Sequence, residues 1–403
     1  MRWSSAVSDA PSFSEAVGQV SEQVLDGLDG EQPDIAIAFV SSHHAPSYFT
    51  APEVFEQRLG ARVFIGCSAA AVIGGGREIE RRPGVAVSAA HLPNIGVTPF
   101  EIRQDELPDP DAPPEAWRNL LGPEVEDPRA ILLLPDPFTL RSDHLLAGLD
   151  FAYPHAVKIG GLVSGGTTPG SNALFSGSRV RRSGAVGVAF SGDLAVETVV
   201  AQGCRPIGKP SVVTGAHHNI ITGLNGEPPL EILRDLFDKA DQREKRLIRR
   251  SLQIGIAMDR LTNDFAPGDF LIRNVIGADE QDGSLAVGEM VQEGQVIQFQ
   301  VRDAEAADHD LRAMLERYVE KLDGSTPVSA LLFTCLGRGQ YLFGAPDHDT
   351  GMFRDLVAQI PLTGFFSNGE IGPIGDQTYL HGYTSSFVLF KQGAEPRREP
   401  EAV

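Results

Sequence analysis

The sequence predicts an α/β protein with α+β character. Repeated strand–helix–strand–turn–strand units form mixed sheets covered by helices, in two domains. Two observations carry this prediction. Three runs, "DIAIAFVSS" (34–42), "RAILLLPDP" (129–137) and "SALLFTCLGRG" (329–339), open with nearly unbroken apolar stretches, as in strands covered on both faces. The segments after each run also recur in the same order.

After the first run comes a helix-compatible stretch with Pro52 near its first turn, then "RVFIGCSAAAVIGGG" (62–76), then a second apolar run, "GVAVSAA" (84–90). The second copy reads "SDHLLAGLDFAYP", "VKIGGLVSGGTTPG" (157–170) and "GAVGVAFSG". The third reads "TGMFRDLVAQI", "LTGFFSNGEIGPIG" (362–375) and "GYTSSFVLF". The register repeats as well: Gly66 to Gly74 and Gly364 to Gly372 are both eight positions, and Gly66 to Gly84 and Gly364 to Gly382 are both eighteen. Three copies are too few for a solenoid. The glycine clusters come after buried strands, allow close backbone approach, and leave N–H groups that can form a concavity for an anion or carboxylate. Turns at strand ends are where α/β proteins commonly place their sites.

Between the copies the pattern changes. Residues 103–129 are acidic and proline-rich and read as a surface excursion with one short helix. "SVVTGAHHNIITGLNGEPPLEILRDLF" (211–237) reads as two strands with a turn at Asn225–Gly226 and a helix from near Pro228. Residues 268–303 read as a three-stranded meander with turns at Asp282–Gly283 and Glu293–Gly294. Leu311, Met314, Leu315, Tyr318, Val319 and Leu322 then share one helical face. The predicted divisions are an N-terminal segment with a helix (1–32), domains at 33–225 and 226–390 with the boundary near Gly223–Pro228, and a disordered tail (391–403).

At 403 residues the chain suits two domains. Its apolar content of 42% and charged content of 22% are those of a globular protein. A formal net charge of −20 argues against nucleic acid or anionic lipid as a partner. The one dense basic run, "REKRLIRR" (243–250), reads as a solvated helix face. The start, "MRWSSAVSDAPSF", has neither the charged nor the apolar region of a secretory signal, and no apolar run approaches the ~20 residues of a membrane span. Cys67, Cys204 and Cys335 are odd in number, far apart, and form no CxxC pair. The expected compartment is therefore a reducing cytoplasm.

"GCRPIGKPS" (203–211) is one residue short of a phosphate-binding loop, with Pro210 where Ser or Thr should hold magnesium. Pro210 has no hydroxyl and no N–H, and it disfavours helical geometry at Lys209. The β-branched residues after it read as strand. This loop is not expected to bind or hydrolyse ATP or GTP.

The blocks "FIGCSAAAVIGGGREIE", "KIGGLVSGG", "QGCRPIGKP", "CLGRG" and "GFFSNGEIGPIGDQTYLHGYTSSFVLF" resemble FIST proteins, which carry a FIST N-terminal and a FIST C-terminal domain. The likeness spans about residues 33–390 and is most specific at "FFSNGEIGPIG". It implies a sensory module for small ligands such as amino acids, acting with a downstream signalling protein. No kinase, cyclase or F-box segment accompanies it here, so the chain is similar to stand-alone members.

Each cysteine neighbours a glycine cluster or short polar block. Arg205 beside Cys204 and Arg338 three after Cys335 would lower a thiol pKa, and both guanidinium forks suit a carboxylate or phosphate. Ser367, Asn368 and Glu370 occupy the third glycine turn, with Ser68 and Ser164 in comparable places. The predicted ligand-binding set is Cys67, Ser68, Ser164, Cys204, Arg205, Cys335, Arg338, Ser367, Asn368 and Glu370. The bland alternatives are buried small hydrophobes for the cysteines, ion pairs for the arginines and turn geometry for Asn368. His217–His218 in a strand would point to opposite faces, no metal or cofactor is predicted, and Pro346–Asp349 reads as a helix cap. The leading reading is a ligand-binding sensory protein with a hollow built from the glycine turns where the two domains meet. The alternatives are an enzyme using Cys335 with Glu370 or His381 as acid/base partner, and a non-catalytic adaptor.

Overall fold

The computed structural model describes residues 1–258, 265, 268–322 and 324–393. It separates into two compact units. One comprises Met1–Val200, Met314–Leu380 and the chain from Thr384; the other comprises Ala201–Ala313 with His381–Tyr383. Helices and strands mix in both, as the sequence predicts.

The three repeats make up the first unit, except that Ala201, residues 304–313 and His381 group with the second. Repeat one runs β1 (Arg2–Ser8), α1 (Phe13–Gly27), β2 (Ile35–Ser41), α2 (Ala51–Leu59), β3 (Val63–Ala69), the hairpin β4 (Val72–Gly74) and β5 (Arg77–Ile79), and β6 (Val85–His91). Repeat two runs β7 (Ile95–Ile102), α3 (Pro114–Arg118), β8 (Ala130–Pro135), α4 (Ser142–Ala152), β9 (Val157–Gly161), the hairpin β10 (Leu174–Ser176) and β11 (Arg179–Arg181), and β12 (Ala185–Gly192). Repeat three opens with β13 (Leu194–Ala201), and there the chain leaves to build the second unit.

That unit contains β14 (Cys204–Pro206), β15 (Ser211–His217), β16 (Ile220–Leu224), α5 (Pro229–Lys239), α6 (Gln242–Ser251), β17 (Leu252–Ala257), β18 (Phe270–Ala278), β19 (Leu285–Val287) and β20 (Val296–Arg302). Repeat three then resumes with α7 (Ala304–Glu320), β21 (Ser329–Cys335), α8 (Gln340–Phe343), α9 (His348–Leu356), β22 (Leu362–Ser367), the hairpin β23 (Glu370–Ile374) and β24 (Gln377–His381), and β25 (Ser385–Gln392). The second unit is thus an insertion between the first strand and first helix of repeat three. Gly223–Pro228, the boundary read from the sequence, falls inside it, between β16 and α5. Lys391 and Gln392, read as the start of a disordered tail, belong to β25; residues 394–403 lie outside the described residues.

The three six-stranded sheets run β1-β6-β2-β3-β10-β11, β24-β23-β9-β8-β12-β7 and β13-β25-β21-β22-β4-β5. No repeat keeps its own hairpin. That of repeat two completes the sheet of repeat one through Cys67↔Leu174. That of repeat three completes the sheet of repeat two through Gly160↔Ile371. That of repeat one completes the sheet of repeat three through Ile73↔Gly364. The exchange closes in a circle.

The sheets share one apolar core. Ile37, Phe39, Ile65, Leu132, Leu134, Val188, Phe190, Phe333, Phe365, Val388 and Phe390 meet in a single cluster. Phe39 lies 4.8 Å from Phe365 and Trp3 lies 4.8 Å from Phe390, centroid to centroid. The outer faces of the first two sheets are covered by helices. Phe13, Ala16, Val17, Val20 and Val24 of α1 sit over one, and Leu145, Leu146 and Leu149 of α4 with Trp117 of α3 sit over the other. Burial on both faces explains the unbroken apolar runs. Each such side chain contributes about 1.5–3 kcal/mol.

The repeated glycine has a steric reason. Each repeat pairs two strands in parallel, matching Gly66 with Ala38, Gly160 with Leu133 and Gly364 with Leu332. A Cβ at these glycines would stand 2.1, 1.9 and 1.7 Å from the carbonyl oxygen of the paired residue. Only hydrogen fits.

In the second unit the strands run β14-β20-β15-β16-β19-β18-β17, and β17 pairs back onto β20. The ladder therefore closes into a barrel, which removes free edges. Ile254, Ile256, Ile297, Phe299, Val301, Val213, Ile221 and Val287 form its core. Two sequence expectations change here. The turn between β15 and β16 is at His218–Asn219, with His218 at φ +54°; Asn225–Gly226 instead leads into α5. β18, β19 and β20 exist but do not form a meander, because β19 pairs with β18 and β16 while β20 pairs with β17. His218, having left the strand, packs its ring 4.2 Å from that of His217 rather than on the opposite face. "GCRPIGKPS" enters β15 and no helix, as its proline requires.

Gly364→Ala is expected to cost about 2–3 kcal/mol or more by overpacking, read as a lower denaturant midpoint. Gly18→Ala in α1, where a Cβ meets nothing within 4 Å, should stabilise by about 0.5–1 kcal/mol. Equal effects in both variants would contradict this account.

Candidate functional site

The three glycine turns converge within the first unit, but they are stitched directly together. Asn368 N–H donates to Leu162 O (3.0 Å), Leu162 N–H to Gly369 O (2.8 Å) and Phe366 N–H to Ala71 O (3.0 Å). The Ser164 hydroxyl bridges the other two repeats, accepting from Ala70 N–H (2.9 Å) and donating to Phe366 O. The Ser68 hydroxyl donates to Ser164 O (3.1 Å), and Asn368 Nδ2 donates to Val163 O (2.9 Å). Turn backbone left without water must satisfy itself, and here each repeat satisfies the next. The expected hollow between the turns is occupied by this hydrogen-bonding.

Behind the third turn lies a buried cluster of charges. Arg338 has no exposed surface and grips Asp349 through Nε to Oδ2 (2.8 Å) and Nη2 to Oδ1 (3.0 Å). Asp349 also accepts from Thr334 (3.0 Å) and Ser385 (2.9 Å) and contacts His348 Nδ1 (2.9 Å). Burial opposes the charge on Asp349, yet Arg338 and His348 outweigh it and hold the carboxyl well below the usual carboxylate range. Glu78, at the base of the exchanged hairpin, accepts from Thr350 N–H (3.0 Å), while its own N–H donates to Asp347 (2.6 Å). Burial first, then the charge of Asp349, pushes the Glu78 carboxyl upward. Asp347 stands at the N-cap position of α9 but makes no capping hydrogen bond; its carboxylate holds the hairpin instead. Glu370, fully buried, accepts from Ser367 Oγ (2.7 Å) and from Thr384 Oγ1 (2.7 Å) and N–H (3.1 Å). Burial carries its pKa up to about 7 against those hydrogen bonds.

A cavity of about 420 Å³ opens beside the turns in the same unit. Ala70 and Ala71 of the first turn, Phe366 of the third, and Leu336, Gly337 and Tyr341 from the segment after β21 form its walls. Glu80 and Arg81, which follow β5, complete it. Glu80 is half-buried and accepts from Gln340 N–H (2.9 Å); burial pushes its pKa up. Arg81 sits at φ +55°, an uncommon backbone for a residue bearing a Cβ. One carboxyl, one guanidinium and an aromatic–aliphatic wall are what a small zwitterion requires of a pocket.

The predicted residues divide into groups. Ser68, Ser164 and Asn368 knit the turns. Arg338, Ser367 and Glu370 belong to the charge cluster, with Cys335 at the end of β21 beside Arg338. Cys67 is a core residue whose thiol burial pushes well up. Cys204 and Arg205 are in the other unit, where Arg205 pairs with Asp303 and Glu244, each at 3.0 Å. None of the ten lines the cavity, although Leu336 and Gly337 separate Cys335 from Arg338 and Phe366 precedes Ser367. Glu80, Arg81 and Tyr341 escaped the sequence reading; for the first two the available signal was the charged "REIERR" directly after "IGGG". Among the described residues no cluster of three or more potential ligands could hold a metal, and no helix is long and apolar enough to cross a membrane.

Fold and site thus define a three-repeat α/β protein with a barrel inserted in its last repeat and a cavity of about 420 Å³ beside its turns. Family models match the FIST N domain over residues 34–227 and the FIST C domain over residues 229–373. The chain belongs to the FIST family. It is 40% identical over 390 residues to an uncharacterized protein of Mycobacterium tuberculosis, covering 97% of this chain and 100% of that one. It is 39% identical over 402 residues to one from Mycobacterium bovis, covering 98% and 100%. An F-box/LRR-repeat protein of Arabidopsis thaliana matches over 134 residues at 29% identity, covering 30% of this chain and 25% of its own. The crystal structure of a cyanuric acid hydrolase from A. caulinodans aligns over 97% of this chain and all of its own, with 10% identity and a TM-score of 0.35, too low to carry an argument. The junction of the two family models, near residue 228, lies within the inserted unit.

Asp349→Ala, which leaves Arg338 buried without its counter-charge, should destabilise by about 3–5 kcal/mol in denaturant unfolding. Glu370 has a folded pKa above its unfolded one, so its contribution is complete below about pH 4.5 and lost as pH rises through about 7. Glu370→Gln is therefore expected to flatten the decline in stability between about pH 5 and 8, by up to about 3 kcal/mol. An unchanged slope would contradict the assignment.

Proposed function

We propose that this protein is a sensory module that binds a small polar metabolite of the amino-acid type in the cavity beside the glycine turns and signals through a downstream protein. FIST domains are associated with small-ligand binding in sensory and signalling proteins. The observation that carries the reading is the presence of Glu80 and Arg81 together in the lining of a cavity walled by Leu336, Tyr341 and Phe366. Arg81 would take the ligand's carboxylate and Glu80 its ammonium, with the side chain against the apolar wall. A volume of about 420 Å³ is within the range of small-molecule sites.

The ligand would join parts that are far apart in sequence. Glu80 and Arg81 belong to repeat one, Leu336 and Tyr341 to repeat three, and Glu80 is already tied to Gln340. Binding would tighten that junction, a structural change a partner could read. The predicted residues of the first unit would then support the cavity rather than touch the ligand, and Cys204 and Arg205 would take no part in it.

Thermal-shift screening of the full chain against amino acids, organic acids and nucleotides is expected to give a rise of a few degrees with zwitterions. Arg81→Ala keeps the Cβ and hence the backbone strain. It should leave unliganded stability within about 0.5 kcal/mol while weakening binding at least about tenfold. A flat profile across the panel would refute the reading.

A further inference from the structure

We propose that the inserted barrel carries a second binding site, on its outer face, for a small neutral molecule with an N–H beside a carbonyl: a primary amide, lactam or imide. The site is a recess of about 110 Å³ lined by residues of the second unit, among them Cys204, Pro206, Pro210, Phe270, Gln298 and Gln300.

The barrel's strand alternation creates it. Ile297, Phe299 and Val301 of β20 point into the barrel core, so Gln298 and Gln300 point outward. Gln253 of β17 lies directly across from Gln300 and shares that face. An outer face should be wet, yet Gln300 is only 3% exposed and its Oε1 has no hydrogen-bond partner among the described residues; Gln253 Oε1 is likewise buried and unpartnered among them. A buried amide oxygen without a partner costs about 1–3 kcal/mol, and the natural remedy is a bound donor. The Gln300 amide lies over a glycine. Gly255, across the ladder from Gln298, leaves room for its amide, since a Cβ there would stand 3.1 Å from Gln300 Nε2.

The neighbouring groups define the ligand further. Gln202 donates its amide hydrogens to Gly268 O (3.2 Å) and Phe270 O (2.9 Å), which leaves its oxygen as the group to accept. Gln298 Nε2 donates to Gly208 O (2.8 Å). Amide side chains therefore wall the recess, and the Gln300 oxygen among them, buried in that wall, lacks a donor among the described residues. Among the described residues no charged side chain lines it, and the Phe270 ring and two prolines would strip water from an ion without offering a counter-charge. A neutral planar N–H compound satisfies both conditions, and the volume accommodates about five or six heavy atoms. An engineered cavity of 150 Å³ takes up benzene.

The test uses the full-length protein and saturation-transfer NMR. The probe is 2-pyrrolidinone, with acetamide as its open-chain counterpart and acetate and acetamidinium as charged relatives of the latter. Saturable binding of the two neutral compounds in the millimolar range is expected, with both ions at least about tenfold weaker. Gln300→Leu should weaken the neutral probes at least about tenfold, and Arg81→Ala, in the other unit's cavity, should leave them unchanged. Should Gln300→Leu fail to fold, the wild-type comparison decides alone. No saturation below about 50 mM, equal binding of acetate or acetamidinium, or undiminished binding to a folded Gln300→Leu protein would each overturn the proposal. Loss of pyrrolidinone binding in Arg81→Ala would do the same, while leaving the amino-acid reading of the first cavity standing.

Discussion

Three contacts between a glycine and a carbonyl oxygen determine the architecture. In every repeat two parallel strands approach so closely that Gly66, Gly160 and Gly364 leave no room for a side chain above the neighbouring peptide. A methyl group there would push the strand aside and displace the turn beyond it. The turns meet in a mesh of hydrogen bonds in which one hydroxyl, that of Ser164, serves two other repeats. A shift of one turn would therefore strand polar groups in all three, and such groups are expensive to bury unpaired. Strand spacing in one repeat is in this way coupled to backbone satisfaction in the others.

The charge cluster of repeat three depends on the same geometry. Arg338 and Asp349 form a buried pair that alone adds little to stability. Its location gives it a role, because Glu78 and Asp347 bring the hairpin of repeat one against it. Burial, and after it the charge of Asp349, push upward the pKa of Glu78, a carboxyl from a strand more than 250 residues away in sequence, and Arg338 beside Asp349 keeps that charge in place. Glu80, two residues beyond Glu78, then reaches the cavity. The ionic centre thereby positions a wall of the candidate site without lining it.

Much of this was legible in the sequence. Apolar runs gave the buried strands, and glycine spacing gave the three repeats and the positions that must stay bare. Pro210 disqualified the phosphate loop because its chemical deficiency is local. The circular exchange of hairpins was not legible: β4 and β5 have the same residues whichever sheet they join, and only the closed assembly decides. The first strand was missed because "RWSSAVS" alternates like an edge strand and lacks the unbroken run used to find the others. Candidate residues were chosen for their reactivity, and Arg338, Ser367 and Glu370 were found in supporting positions because reactive groups beside glycine turns also serve to satisfy backbone. Tyr341 gave no pattern signal, and the charged run holding Arg81 did not show that it faces a cavity, since a cavity wall is defined by neighbours brought from remote segments.

Circular exchange also bears on how the molecule is made. The hairpin of repeat one leaves the ribosome early, but its partner strand, β22, emerges only after nearly three hundred more residues. Until then β4 has an unsatisfied edge, and the first two repeats lack one wall of their common core. Biogenesis is thus a race between ring closure and sticking to other nascent chains, and closure must wait for the last repeat. An isolated N-terminal half would carry that open edge permanently, so cutting the chain between the two family segments should yield pieces that clump rather than two working halves.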